Sequence, residues 1–153
     1  MIRQILLSLV ILCVCSYSYA QDTSTFDANR FADISETESK IDASTITSRM
    51  IEGLGFRYYW ATEGLTSDDL KFKPVEEGRS SLETLKHIHG LTNYLVGFFG
   101  MTPSWENDFK QLKPLREATL LNFQKLEKKV KSIPHNELKS YKKDDITIWQ
   151  MIN

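Results

Sequence analysis

Cysteine is the first shortage. The chain holds two, Cys13 and Cys15, and both lie in an N-terminal segment that reads as removed on export. A mature protein without them has no disulfide, no thiolate metal ligand and no cysteine nucleophile. Long apolar runs are scarce too. Ile5–Cys15 is broken only by Ser8 and reaches roughly half of the ~20 residues that a spanning helix needs. No later segment is longer, so no stable membrane anchor is expected. Neither sign of charge is in excess. The 19 Lys and Arg, less Arg3, leave 18 against 20 acidic residues after the first twenty are removed. That balance argues against a nucleic-acid partner, because phosphate binding is driven by clustered Lys and Arg. Motif-borne catalysis is also missing. The sequence has no G-x-S-x-G elbow, no S-x-x-K, S-D-N and K-T-G set, and no closely spaced carboxylate pair suited to glycoside chemistry.

The N-terminus carries the order of a secretory signal peptide. Arg3 is the positive start, Ile5–Cys15 the apolar stretch, and Ser18 and Ala20 the small residues before a cut. Cleavage is expected after Ala20, and the protein is expected to be secreted or periplasmic. Residues 21–42 are polar and acidic, and read as a flexible leader with one turn of helix at most. Lys110 to Lys143 is basic. The leader is either solvated or laid against that basic stretch. Residues 43–153 form the domain.

Three amphipathic helices follow. In the first, about Thr45 to Leu65, Ile46, Met50, Leu54, Tyr58, Ala61 and Leu65 recur at steps of four and three as one buried stripe. Ser44 reads as its N-cap. Gly53 and Gly55 inside it each cost about 1 kcal/mol relative to alanine, which close approach of a neighbouring helix would offset. The second helix starts at Ser80, where Ser80 and Glu83 make a capping box. It stops at Gly100, with Leu82, Leu85, Ile88, Leu91, Leu95 and Phe98 facing inward. The third runs from about Pro114 to Pro134, with Leu115, Phe123, Leu126, Val130 and Ile133 as its stripe. A polar connection leads to a new apolar segment at Ile146–Asn153. Short links and three stripes predict an all-α antiparallel bundle of four, with its last helix largely missing. An uncovered bundle face of that kind would favour a homodimer.

Three histidines are present. His87 and His89 are two apart on the second helix, so they point about 200° apart and cannot share one metal. Each is either a ligand or a satisfied bundle histidine. His135 lies in a polar loop and reads as solvated. The run Phe56-Arg57-Tyr58-Tyr59-Trp60 is either core on one side and interface on the other, or a stacking surface for a ligand.

Gly53-Leu54-Gly55-Phe56-Arg57-Tyr58-Tyr59-Trp60-Ala61-Thr62-Glu63-Gly64-Leu65, then Asp69-Leu70, Pro74 and Ser81-Leu82-Glu83-Thr84-Leu85-Lys86-His87-Ile88, resemble a secreted branch of the DinB-like superfamily. That superfamily includes the YfiT-like metal-dependent hydrolases. Trp149-Gln150-Met151-Ile152-Asn153 resembles the opening of that branch's fourth-helix motif. The resemblance covers about residues 45–153. It implies a four-helix bundle holding a divalent metal, zinc or nickel, on inward-facing histidines. One ligand would come from the second helix and the others from the fourth. Only the first carries over, onto His87. The implied activity is that of a metal-dependent hydrolase or transferase on a small-molecule substrate that the sequence does not name. The rival expectation is a non-catalytic binding or scaffold module that uses an exposed apolar groove.

Overall fold

The computed structural model describes residues 26–103, 109–148 and 150. The signal peptide, and Trp149 and Met151–Asn153 of the fourth-helix resemblance, lie outside the described residues. Among those described, the fold is helical: α1 Ala43–Thr62, α2 Ser67–Lys71, α3 Ser81–Phe98, α4 Leu112–Ser132 and α5 His135–Leu138, with a hairpin β1 Lys142–Lys143 and β2 Ile146–Thr147. No helix among them is long and apolar enough to cross a membrane.

The helix ends follow local chemistry. α3 opens on the expected Ser80–Glu83 capping box, and Gly100, at φ +73°, closes it in the left-handed conformation that glycine allows. α1 is capped by Asp42 rather than Ser44. The Asp42 carboxylate accepts from the Ser44 and Thr45 amides. Ser44 is instead buried and donates its hydroxyl to the Ile133 carbonyl at 2.6 Å. Thr66 and Asp69 box the short α2. The polar connection after α4 holds α5 and the hairpin, whose turn places Asp144 and Asp145 at positive φ.

α4 is the central helix. α1 and α3 both pack on it and make almost no contact with each other. Two apolar clusters meet along it, one around Leu115, Leu120 and Phe123, the other around Leu126 and Val130. α1 runs antiparallel to α4, as Ser44 bonds Ile133 and Thr62 bonds Arg116. α3 runs parallel to it: His89 meets Thr119 and Asn93 meets Asn122. The expected antiparallel arrangement is therefore corrected for this pair. The link between α3 and α4 is long enough for the return. α3 spans about 27 Å, and the thirteen positions from 99 to 111 can reach roughly 43 Å when extended.

α1 also corrects its own expectation. The side buried on α4 carries Ser44, Ser48, Glu52, Gly55, Tyr58 and Thr62. Ile46, Met50 and Leu54 of the supposed core stripe are about half exposed. Small residues let the backbone approach closely, and what approaches Gly55 is the leader rather than a helix. Phe31 is 1 % exposed, and a Cβ on Gly55 would lie 2.6 Å from its ring. The ring also stands edge-on to Phe123 at 6.2 Å. The leader is thus a strap along the α1–α4 crevice. Its main ionic anchor is Arg30, held between Glu52 and Glu127. Glu38 pairs with Lys131 on the basic side. Gly55→Ala is expected to cost about 1–3 kcal/mol by overpacking, read from the urea midpoint. An unchanged midpoint would mean that the strap gives way freely.

Candidate functional site

The two histidines of α3 part company as their spacing requires. His89 is 2 % exposed and turned into the α3–α4 interface. Thr119 spends its hydroxyl proton on the Leu115 carbonyl at 2.7 Å, so it meets His89 Nδ1, at 3.2 Å, as an acceptor. Asn93 donates its amide to Nε2 at 3.0 Å. Asn122 fixes that amide by donating to Asn93 Oδ1 at 2.8 Å and to Thr92 Oγ1 at 3.0 Å. Thr92 in turn donates to the His89 carbonyl, and Phe109 stands edge-on to the imidazole at 5.0 Å. Both ring nitrogens therefore have defined roles, proton on Nδ1 and acceptor at Nε2. A metal at either would break the network. The sequence places His89 beside the apolar face but does not anticipate this network. Its signal is the i, i+4 step from His89 to Asn93 and the i, i+3 step from Thr119 to Asn122 on buried faces.

His87 lies on the other side of α3 and is exposed. Four and seven residues on, Leu91 and Tyr94 share its face and are about half exposed. Beside this row runs an apolar furrow between α1 and α3, floored by α4. Near the C-terminal ends of α3 and α4 it encloses about 250 Å³ among Met50, Leu54, Leu95, Phe98, Leu126 and Ile148. Further along, it encloses about 450 Å³ among Leu54, Ala61, Leu85, Ile88, Leu91 and Leu95. Tyr58 reaches under the furrow. Burial pushes its phenol pKa up, so the hydroxyl stays protonated.

At the furrow's first end a local cap follows the hairpin. Thr147 and Gln150 form a reciprocal capping box: Thr147 Oγ1 accepts from the Gln150 amide at 3.3 Å, and Gln150 Oε1 accepts from the Thr147 amide at 2.9 Å. Ile148, inside that box, is buried against the Leu126–Val130 cluster.

Among the described residues, no group of three or more His, Cys, Asp or Glu side chains could hold a metal ion. A zinc site takes three or four protein ligands, and His87 offers one. These residues alone do not fit a bound metal, and no catalytic step is derived from one. The aromatic run divides by side. Tyr58 is core, while Tyr59 lies under the Arg116 guanidinium at 4.4 Å and Trp60 donates to the Ala32 carbonyl of the strap. His135 is exposed, at 4.0 Å from Asp42. No family model, curated protein or solved structure matches the chain.

Proposed function

We propose that the chain is the body of an exported DinB-like four-helix bundle whose α1–α3 furrow seats a fourth amphipathic helix. The furrow carries this reading. It is lined mainly by aliphatic and aromatic side chains, runs between two helices that make little backbone contact, and has the Thr147–Gln150 capping box at one end. A helix laid in such a groove supplies the missing apolar face. His87, Leu91 and Tyr94 then face the covering element, while His89 stays sealed on α4. In the reading that the resemblance implies, histidines of the covering helix complete a zinc or nickel site with His87. A metal held there would supply Lewis-acid chemistry suited to hydrolysis or group transfer, with His87 as one of its ligands.

The non-catalytic reading draws on the same furrow. The described wall supplies apolar surface and one imidazole, which suits a scaffold that receives a helix. Metal content of the chain with a covering fourth helix supplied separates the two, and the mature chain by itself is the baseline. With His87 as the one imidazole beside the furrow that is not sealed in the α3–α4 interface, zinc or nickel is expected to bind no tighter than about micromolar there. His87→Ala should abolish that uptake and leave the melt unchanged. His89→Ala should leave uptake intact and cost about 2 kcal/mol, because buried Asn93 and Thr119 lose their partner. Titration calorimetry and thermal melts read both. Equal loss of metal in the two variants, or loss only with His89→Ala, would remove His87 from the metal reading.

Export belongs to the same proposal. Intact mass of secreted material is expected to begin at Gln21. Membrane-bound protein that retains residues 1–20 would overturn it.

A further inference from the structure

Residues 26–42 form neither helix nor strand, yet the bundle grips their main chain at several points. Gln124 accepts from the Asp27 amide at 3.3 Å and donates to the Asp27 carbonyl. Trp60 Nε1 donates to the Ala32 carbonyl at 3.1 Å. Arg49 donates to the Ser35 carbonyl at 2.7 Å, and Glu52 accepts from the Ser35 amide at 2.8 Å. Two adjacent strap side chains are also held, Phe31 fully buried and Arg30 partly exposed. Arg30 is shared by Glu52 and Glu127, and its guanidinium lies 5.2 Å from the Phe31 ring. Phe31 fills the hole over Gly55. Main-chain hydrogen bonds from receptor side chains, with pockets for selected residues, are how proteins hold extended peptides.

We propose that the α1–α4 crevice is a peptide-binding site selective for an Arg-Phe pair, and that the leader of this chain is its tethered ligand. The two carboxylates select the cation. The missing Cβ of Gly55 selects a flat ring, because a branched side chain cannot lie as close to the helix backbone. The short link from Glu36 to Asp42 keeps the leader at high effective concentration, so the crevice stays filled even where its intrinsic affinity is modest. Cutting the link removes that advantage and opens the site to exchange with a free peptide of the same sequence.

The test uses the mature chain with a protease site built into residues 37–41. After cutting, a labelled peptide of residues 26–36 is titrated in, with fluorescence anisotropy as the readout. Saturable binding is expected, with the released leader appearing in the filtrate. A peptide carrying Phe31→Ala should bind at least about tenfold more weakly, and one carrying Arg30→Ala should bind more weakly too. Three outcomes overturn the proposal. One is a cut leader that never exchanges. Another is equal binding by a peptide with alanine at both positions. The third is loss of helical circular dichroism on cutting, which would make the strap part of the core rather than a ligand.

Discussion

The mature chain is expected to self-associate as its concentration rises, and Leu54→Lys combined with Tyr94→Lys is expected to return it to a monomer. Ile46, Met50, Leu54, Leu91 and Tyr94 are each about half exposed on α1 and α3. Covering the exposed half of one such side chain is worth roughly 1 kcal/mol. Five together offer about 5 kcal/mol, near the low end of the ~4–15 kcal/mol that association costs in lost freedom. The furrow walls add area, so the dimer should be weak and concentration-dependent. Light scattering across the micromolar to millimolar range reads it. The two lysines should abolish association with only a small drop in the melt, since both positions are about half exposed in the monomer. A sharp cooperative melt from a chain that stays monomeric throughout that range would show that the three long helices suffice. The furrow would then need no covering helix.

Glu52→Ala is expected to cost about 2 kcal/mol of stability, the range for losing charge-assisted hydrogen bonds to partly exposed partners. Glu52 is 3 % exposed and binds Arg30 at 3.0 Å, Arg49 at 2.6 Å and the Ser35 amide at 2.8 Å. Removing it strips a partner from each. Burial would raise its pKa, but hydrogen bonds from Ser35, Arg49 and Arg30 outweigh that and hold it at about 2, against an ordinary 4.5. A depressed carboxylate stabilises the fold above its unfolded pKa. That contribution should fade as pH falls from about 4.5 towards about 2. Glu127 behaves oppositely. Burial, its largest influence, raises its pKa against the pull of Arg30, and the charge of Glu52 adds to the rise. The folded state therefore binds that proton more readily than the unfolded one, and Glu127 offsets part of the acid loss. Urea melts from pH 7 to pH 3 should show falling stability in the wild type and a shallower slope in Glu52→Gln. Parallel slopes would remove Glu52 from the acid response.

Where structure depends on neighbours in sequence, the sequence is a good guide. The Ser80–Glu83 box, the stop at Gly100 and the end of α4 before Pro134 all involve residues within a turn of one another. The opposite facing of His87 and His89 needs only helix geometry. α1 shows where such reading fails. Periodicity finds the apolar side of a helix, and on α1 that side is half open, while the packed side is small and polar. Its neighbours there are α4 and an irregular strap, whose contacts join residues such as Asp27 and Gln124 across most of the chain. No local period announces an extended segment held by side chains. The parallel run of α3 and α4 was equally hidden, since the helix stripes are the same for either direction and only the reach of the link permits both. The His89 network was hidden too, because the α3 side that packs on α4 carries His89, Thr92 and Asn93 rather than the apolar stripe.

The central place of α4 also has a consequence for the order of folding. α1, α3 and the strap all bury their inner sides on a helix that leaves the ribosome after every one of them. Until about Ser132 has emerged, the earlier segments have no partner to close on, and α1 and α3 offer each other little contact. The closures are also long, from about thirty residues between His89 and Thr119 to 97 between Asp27 and Gln124. Helical bundles normally fold fast because their contacts are local. This one should fold more slowly than its helix content suggests, and only after most of its length is free. A chain that cannot close early stays open while it is being made, and its apolar stripes stay uncovered for that time.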